Sequence, residues 1–366
     1  MNIISMVRLG VRVAKWAAPH VQEWHRERNL DRTEGQRHLT ARNWSLAEVH
    51  LSTALATGQH TSQERVDMLL GLASAQRSQG KLEEAEETAR VAAELGVAAG
   101  NHGWQMQAQT ELLEIHLSQE NYAAARDLAR SILKQEGSRV RPDKATLATA
   151  FRKLGMALAK AGPDSGDAAE AVTALERGAA LAEEVWGKDH VETAHSLSEL
   201  GSFYRSQEKH GDAQRCLRRA VEIHRALSGA TSPETTLSLL HLANSLAESG
   251  DPDAACSEFE RVLKLKEQQV GVNPEETIDV RLNLARLYLE AGRTPAAREL
   301  LLLTVGNVER KGGQRLITAL ELLVEAEQIA GRHAEAARWS QKLDAVGKPP
   351  SRPDIMAQFG RVSPSY

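Results

Sequence analysis

Along the chain, apolar residues return at three- and four-residue intervals in runs of about 16, the period of amphipathic helices, and the runs come in pairs separated by short breaks. The clearest register opens at Gly187-Lys188-Asp189-His190-Val191-Glu192-Thr193. Gly229-Ala230-Thr231-Ser232-Pro233-Glu234-Thr235 and Gly271-Val272-Asn273-Pro274-Glu275-Glu276-Thr277 repeat it at a spacing of 42. After each comes a first helix, with Leu200-Gly201 and Tyr204, then Leu242-Ala243 and Leu246, then Leu284-Ala285 and Tyr288. The break before the second helix holds Gly250-Asp251 or Gly292-Arg293, where glycine suits the left-handed position after a helix end.

Carried outward, the register places an alanine in the second helix of every unit: Ala47, Ala85, Ala125, Ala171, Ala213, Ala255, Ala297 and Ala336. Two antiparallel helices that cross closely leave room for a methyl group and little more. Four residues on, a larger apolar residue packs into the neighbour at Leu51, Leu175, Leu217, Phe259 and Leu301, with Ala89, Ala129 and Ser340 as weaker versions. The units read as 31-60, 61-98, 101-137, 141-186, 188-228, 231-270, 273-311 and 314-346. A 30-residue N-terminal arm precedes them, and a tail from Gly347 with Pro349, Pro350, Pro353 and Pro364 is expected to be disordered.

These features resemble the tetratricopeptide repeat family: Leu-Gly or Leu-Ala in the first helix, an aromatic three positions on, alanine in the second helix and an apolar residue four later. The 42-residue spacing and the Gly-x-x-x-Pro/His-x-x-Thr connectors are similar to the longer repeats of kinesin light chains. The resemblance spans about residues 31 to 346 and departs from pattern in the fourth unit, where Gly162-Pro163-Asp164-Ser165-Gly166-Asp167 lengthens the turn. It implies an all-α fold, a right-handed α-solenoid of about eight helix-turn-helix repeats stacked in one array.

Composition agrees with that expectation. Trp, Tyr and Phe together number only 14 of 366 residues, which argues against a β-sandwich or barrel. The net charge of −4 excludes a generally basic nucleic-acid binder. Cys216 and Cys256 form no CxxC pair and suit a reducing compartment as buried, inert thiols. No run of 18 apolar residues is present, and a cytoplasmic protein that keeps its N-terminus is expected.

Catalytic signatures are absent from the sequence: no GxxxxGK[ST], no GxGxxG, no HExxH and no GxSxG. His190, His195, His210 and His241 are spaced by the repeat and carry no metal signature. The expected function is therefore non-catalytic, with no cofactor, metal, nucleic acid or small-molecule substrate. The family's partner groove, lined by the first helices, maps to Arg77, Arg152, Lys153, His195, Arg205, His241, Asn244, Asn283 and Arg286. That set is rich in cations and amides and suits the carboxylates and extended backbone of an acidic protein partner.

The N-terminal arm is a second candidate surface. Arg8, Arg12 and Lys15 form one stripe on a helical wheel, and Ile3, Ile4, Met6, Val7, Leu9, Val11, Val13 and Trp16 fill the rest. Such a helix either docks on the first repeat, self-associates, or lies on an anionic membrane. The resemblance to kinesin light chains of bacteria implies an acidic tubulin-like filament as partner, with membrane contact through the arm. A cytoplasmic regulator or sensor that holds a peptide in its groove is the alternative.

Overall fold

The computed structural model describes residues 31–57, 60–161, 167–268, 277–309 and 312–347. The arm with Arg8, Arg12, Lys15 and Trp16, the lengthened turn at 162–166, the connector at 271–276 and the tail from 348 lie outside the described residues. All regular structure among them is helical, in accord with the all-α expectation. Residues 31–40 form α1, followed by α2 (Trp44–Thr57), α3 (Ser62–Ser78), α4 (Leu82–Ala98), α5 (His102–Ser118), α6 (Tyr122–Gly137), α7 (Lys144–Lys160) and α8 (Ala168–Trp186). Then come α9 (Val191–Ser206), α10 (His210–Ser228), α11 (Pro233–Glu248), α12 (Pro252–Gln268), α13 (Ile278–Glu290), α14 (Thr294–Val308), α15 (Gln314–Ile329) and α16 (His333–Gly347). Odd-numbered helices are the A helices of the hairpins and even-numbered ones the B helices.

The chain divides into two compact units, one ending at Lys188 and the other starting at Asp189. In the first, consecutive helices pack from α2 to α8, and the A helices α3, α5 and α7 also touch in sequence. In the second, consecutive helices pack from α9 to α16, with α9 against α11 and α13 against α15.

The repeat alanines are what bring the helices together. Ala47, Ala85, Ala125, Ala171, Ala213, Ala255 and Ala297 are wholly buried and Ala336 nearly so. Leu51, Leu175, Leu217, Phe259 and Leu301, four residues on, are buried too, each large side chain contributing about 1.5–3 kcal/mol of burial free energy. Volumes on the A helix compensate: a Cβ built at Gly201 would meet Leu217 Cγ at 2.7 Å, and one at Gly155 would meet Leu175 Cγ at 2.4 Å. Where the B helix instead carries Ala129, the A-helix position twelve residues before the repeat alanine is Leu113, fully buried.

Local sequence starts and stops the helices as these residue types should. Thr61 and Glu64 form a reciprocal capping box on α3, and Ser232 caps α11 with Pro233 in its first turn. The threonine of the repeated connector is an anchor: Thr193 and Thr235 are completely buried, and the Thr235 hydroxyl donates to the Gly229 carbonyl at 2.9 Å. Gly250 and Gly292 adopt φ of 80° and 71° in the A-to-B turns, the left-handed conformation anticipated for them. The same turn is closed at Arg42, Glu120 and Glu208 by non-glycine residues with φ of 56–58°.

Candidate functional site

The A-helix face holds the mapped cations, and in the first unit carboxylates meet them. Arg77 of α3 donates from Nε to Glu111 of α5 at 3.0 Å, and Lys153 of α7 lies 2.6 Å from Glu114 of α5. Lys153 is buried, so its charge is committed to that pair. Burial pushes the Glu111 carboxyl above its ordinary pKa even with Arg77 beside it. Burial also acts on Glu114, but Lys153, Arg152 and Arg77 together outweigh it and hold this carboxyl below the ordinary value. Two acids and three cations thus form one cluster, in which the carboxylates offset two of the three positive charges.

Glu111 and Glu114 were not among the residues mapped from sequence, although a signal for them exists. They hold the same register relative to Ala125 that Asn283 and Arg286 hold relative to Ala297.

In the second unit, Arg205 of α9 pairs with Glu248 of α11, and His195 sits at the seam of its own hairpin. Its ring centroid is 5.0 Å from that of buried His224 on the B helix α10, and its Nδ1 is 3.8 Å from Glu192. Burial first, and the neighbouring His195 second, keep the His224 pKa below its ordinary value. His241 is half-buried on α11.

Asn244, Asn283 and Arg286 come together. They line a pocket of about 240 Å³ with Ala247, Glu248, Phe259, Leu287 and Glu290. Phe259 and Leu287 are buried and form an apolar base, and Arg286 is exposed and makes no ion pair among the described residues. A carboxamide both donates and accepts, so two of them one repeat apart can pair with a peptide's N–H and C=O groups while Arg286 takes a carboxylate. Phe259, the core residue four positions after the repeat alanine Ala255, is thus also one of the residues lining this pocket.

No group of three or more His, Cys, Asp or Glu able to hold a metal occurs among the described residues, and none of their helices is long and apolar enough to cross a membrane. Both cysteines are buried, and burial pushes the Cys256 thiol above its ordinary pKa.

Tetratricopeptide repeat models match residues 32–102, 146–226 and 234–309. No curated protein matches the sequence. Among solved structures, the nearly identical repeats of a kinesin light chain from Podosopora anserina superpose with a TM-score of 0.51 at 21% identity, covering 58% of this chain and all of that one. The apo quorum sensor NprR from B. thuringiensis gives 0.59 at 11% identity, over 94% of this chain and 96% of that one. BtubC from P. vanneervenii gives 0.46 at 16%, over 78% and 97%, too distant to bear on this chain's partner.

Proposed function

Because the chain belongs to the tetratricopeptide repeat family, we propose that it is a non-catalytic scaffold whose A helices hold an extended, acidic segment of a protein partner. One observation carries this reading. Of the cations on the A-helix face, Arg77, Lys153 and Arg205 are engaged by carboxylates of the chain itself, whereas exposed Arg286 opens with Asn244 and Asn283 onto one pocket. The amides would hold the partner's backbone, the guanidinium an acidic side chain, and Phe259 and Leu287 an apolar one. Glu248 and Glu290 at the rim disfavour a second acid nearby, which confines the preference to one position.

An acidic tubulin-like filament is the partner we favour, on the strength of the 42-residue repeats and connectors of kinesin-light-chain type. The arm, with Arg8, Arg12, Lys15 and Trp16, would add contact with an anionic membrane, each basic residue contributing about 1 kcal/mol. Co-sedimentation of the full chain with polymerised bacterial tubulin-like filaments tests the pairing. Arg286→Glu should abolish it with an unchanged circular dichroism spectrum, and equal pelleting of variant and wild type would remove the pocket from the interface. Flotation with anionic vesicles of the full chain against a chain carrying Arg8→Glu, Arg12→Glu and Lys15→Glu tests the arm; equal flotation excludes it.

The size of the pocket favours a second reading, a sensor that retains one short peptide. A peptide-bound sensor would stay in the supernatant in the same assay and bind a short acidic peptide by calorimetry.

A further inference from the structure

The opposite side of the first unit, where B helices α6 and α8 flank α7, carries an apolar trough that the A-helix reading leaves unused. Its floor is Leu147, Phe151 and Leu154 of α7, and its walls include Leu133 of α6 and Leu181 of α8. Two lobes of about 540 and 560 Å³ meet at Leu133, Phe151 and Arg177. One end is closed by the Arg130–Glu170 pair at 2.6 Å and the other by Lys144 with Glu184. Glu170 and Glu184 stand fourteen residues apart on α8, about 21 Å at the rise of an α-helix.

Arg177 lies midway. Its guanidinium is over the Phe151 ring at 5.4 Å, and it is exposed and makes no ion pair among the described residues. Glu170 and Glu184 are neutralised by their own partners, so the trough offers one net positive charge at its centre with apolar space on both sides.

We infer that this trough is a docking site for an amphipathic helix of a protein partner that presents one carboxylate between two apolar side chains. Apolar residues one turn to either side of an acid lie on one helix face and would enter the two lobes while the acid meets Arg177. A small amphiphile, with its charge at one end, would fill a single lobe. Residues 1–16 of this chain contain no acid and would set like charges against Arg177.

The test uses fluorescein-labelled alanine-based helical peptides, with leucines one turn to either side of a central Glu, Gln or Lys, titrated by anisotropy into the full chain. Wild type should bind the Glu peptide about tenfold more tightly than the Lys peptide, which corresponds to about 1.4 kcal/mol. Arg177→Glu should invert the order, and Leu133→Asp should weaken all three peptides. Should Arg177→Glu fail to fold, Arg177→Gln supplies the comparison and should erase the preference. The inference is overturned by an order unchanged in the Arg177 variants, by absence of saturable peptide binding, or by saturable binding of dodecanoate with none of the peptides. It stands apart from the Arg286 pocket: in a chain already carrying Arg286→Glu, Arg177→Glu should still invert the order of the peptides, and loss of that inversion would also overturn it.

Discussion

Gly96, near the end of α4, tests how closely adjacent hairpins approach. A Cβ there would lie 2.6 Å from Gln105 N, 3.0 Å from Gln105 Cα and 3.1 Å from the Trp104 carbonyl carbon, all backbone atoms of α5. No side chain can rotate away, so Gly96→Ala must push α5 outward by several tenths of an ångström. Helix propensity alone would favour alanine by about 1 kcal/mol, and overpacking of this kind costs about 1–3 kcal/mol, so a net loss of about 1 kcal/mol is expected. Gly306 in α14 is the control, since a Cβ there meets nothing within 4 Å; Gly306→Ala should gain up to about 1 kcal/mol. Guanidinium unfolding followed at 222 nm should therefore move the two midpoints in opposite directions. Equal stabilisation by both substitutions would refute the α4–α5 backbone contact.

The repeat alanines predict the same sensitivity: Ala255→Leu should cost about 1–3 kcal/mol, read as a lowered thermal midpoint, and an unchanged midpoint would contradict the buried register around Phe259. Glu208→Gly should stabilise, by up to about 1 kcal/mol in urea unfolding, because φ of 58° is strained for glutamate and free for glycine. Buried His224, held below its ordinary pKa of 6.5, favours the neutral form in the folded chain. The unfolded chain therefore takes up a proton first as pH falls below 6.5, and stability should decline from there until the folded-state pKa is reached; His224→Phe should flatten that slope, and an identical slope would exclude His224 as its source. Fully buried Glu136 accepts from His102, Arg139 and the Asp143 N–H. Burial raises its pKa, but these bonds outweigh it and lower the value below 4.5, so its stabilisation is present above pH 4.5 and lost as pH falls further. Glu136→Gln should reduce stability at pH 7 and make the acid limb shallower.

The hairpins were legible because their causes are local and periodic. A 3.6-residue period locates each helix, an alanine at one register permits close crossing, and Gly250 and Gly292 take the left-handed turns that only their residue type adopts freely. Arg42, Glu120 and Glu208 hold the same turn against their own preference, since the packing of the two helices imposes it on whichever residue is there. Sequence inspection passes over such residues because the cause lies in tertiary contact. The exchange of volume between helices was half visible: Leu217 and Gly201 each stood out singly, but their 2.7 Å approach makes them one packing decision.

For the site, selecting cations on the right helix face identified Arg286 and also several residues already engaged. Arg77 with Glu111, Arg205 with Glu248, Arg130 with Glu170 and Arg315 with Asp279 are partners separated by about one repeat. In a stacked array, residues one repeat apart face each other across neighbouring hairpins, so an acid at that distance cancels a cation that sequence alone presents as available. One repeat before Arg286 the same register holds Asn244, an amide, and Arg177 rests on Phe151 rather than a carboxylate. A net charge of −4 therefore says little about binding in this chain. What matters is which cations stay available once the ladder between repeats has closed, and Arg286 and Arg177, neither in an ion pair among the described residues, each open onto a pocket.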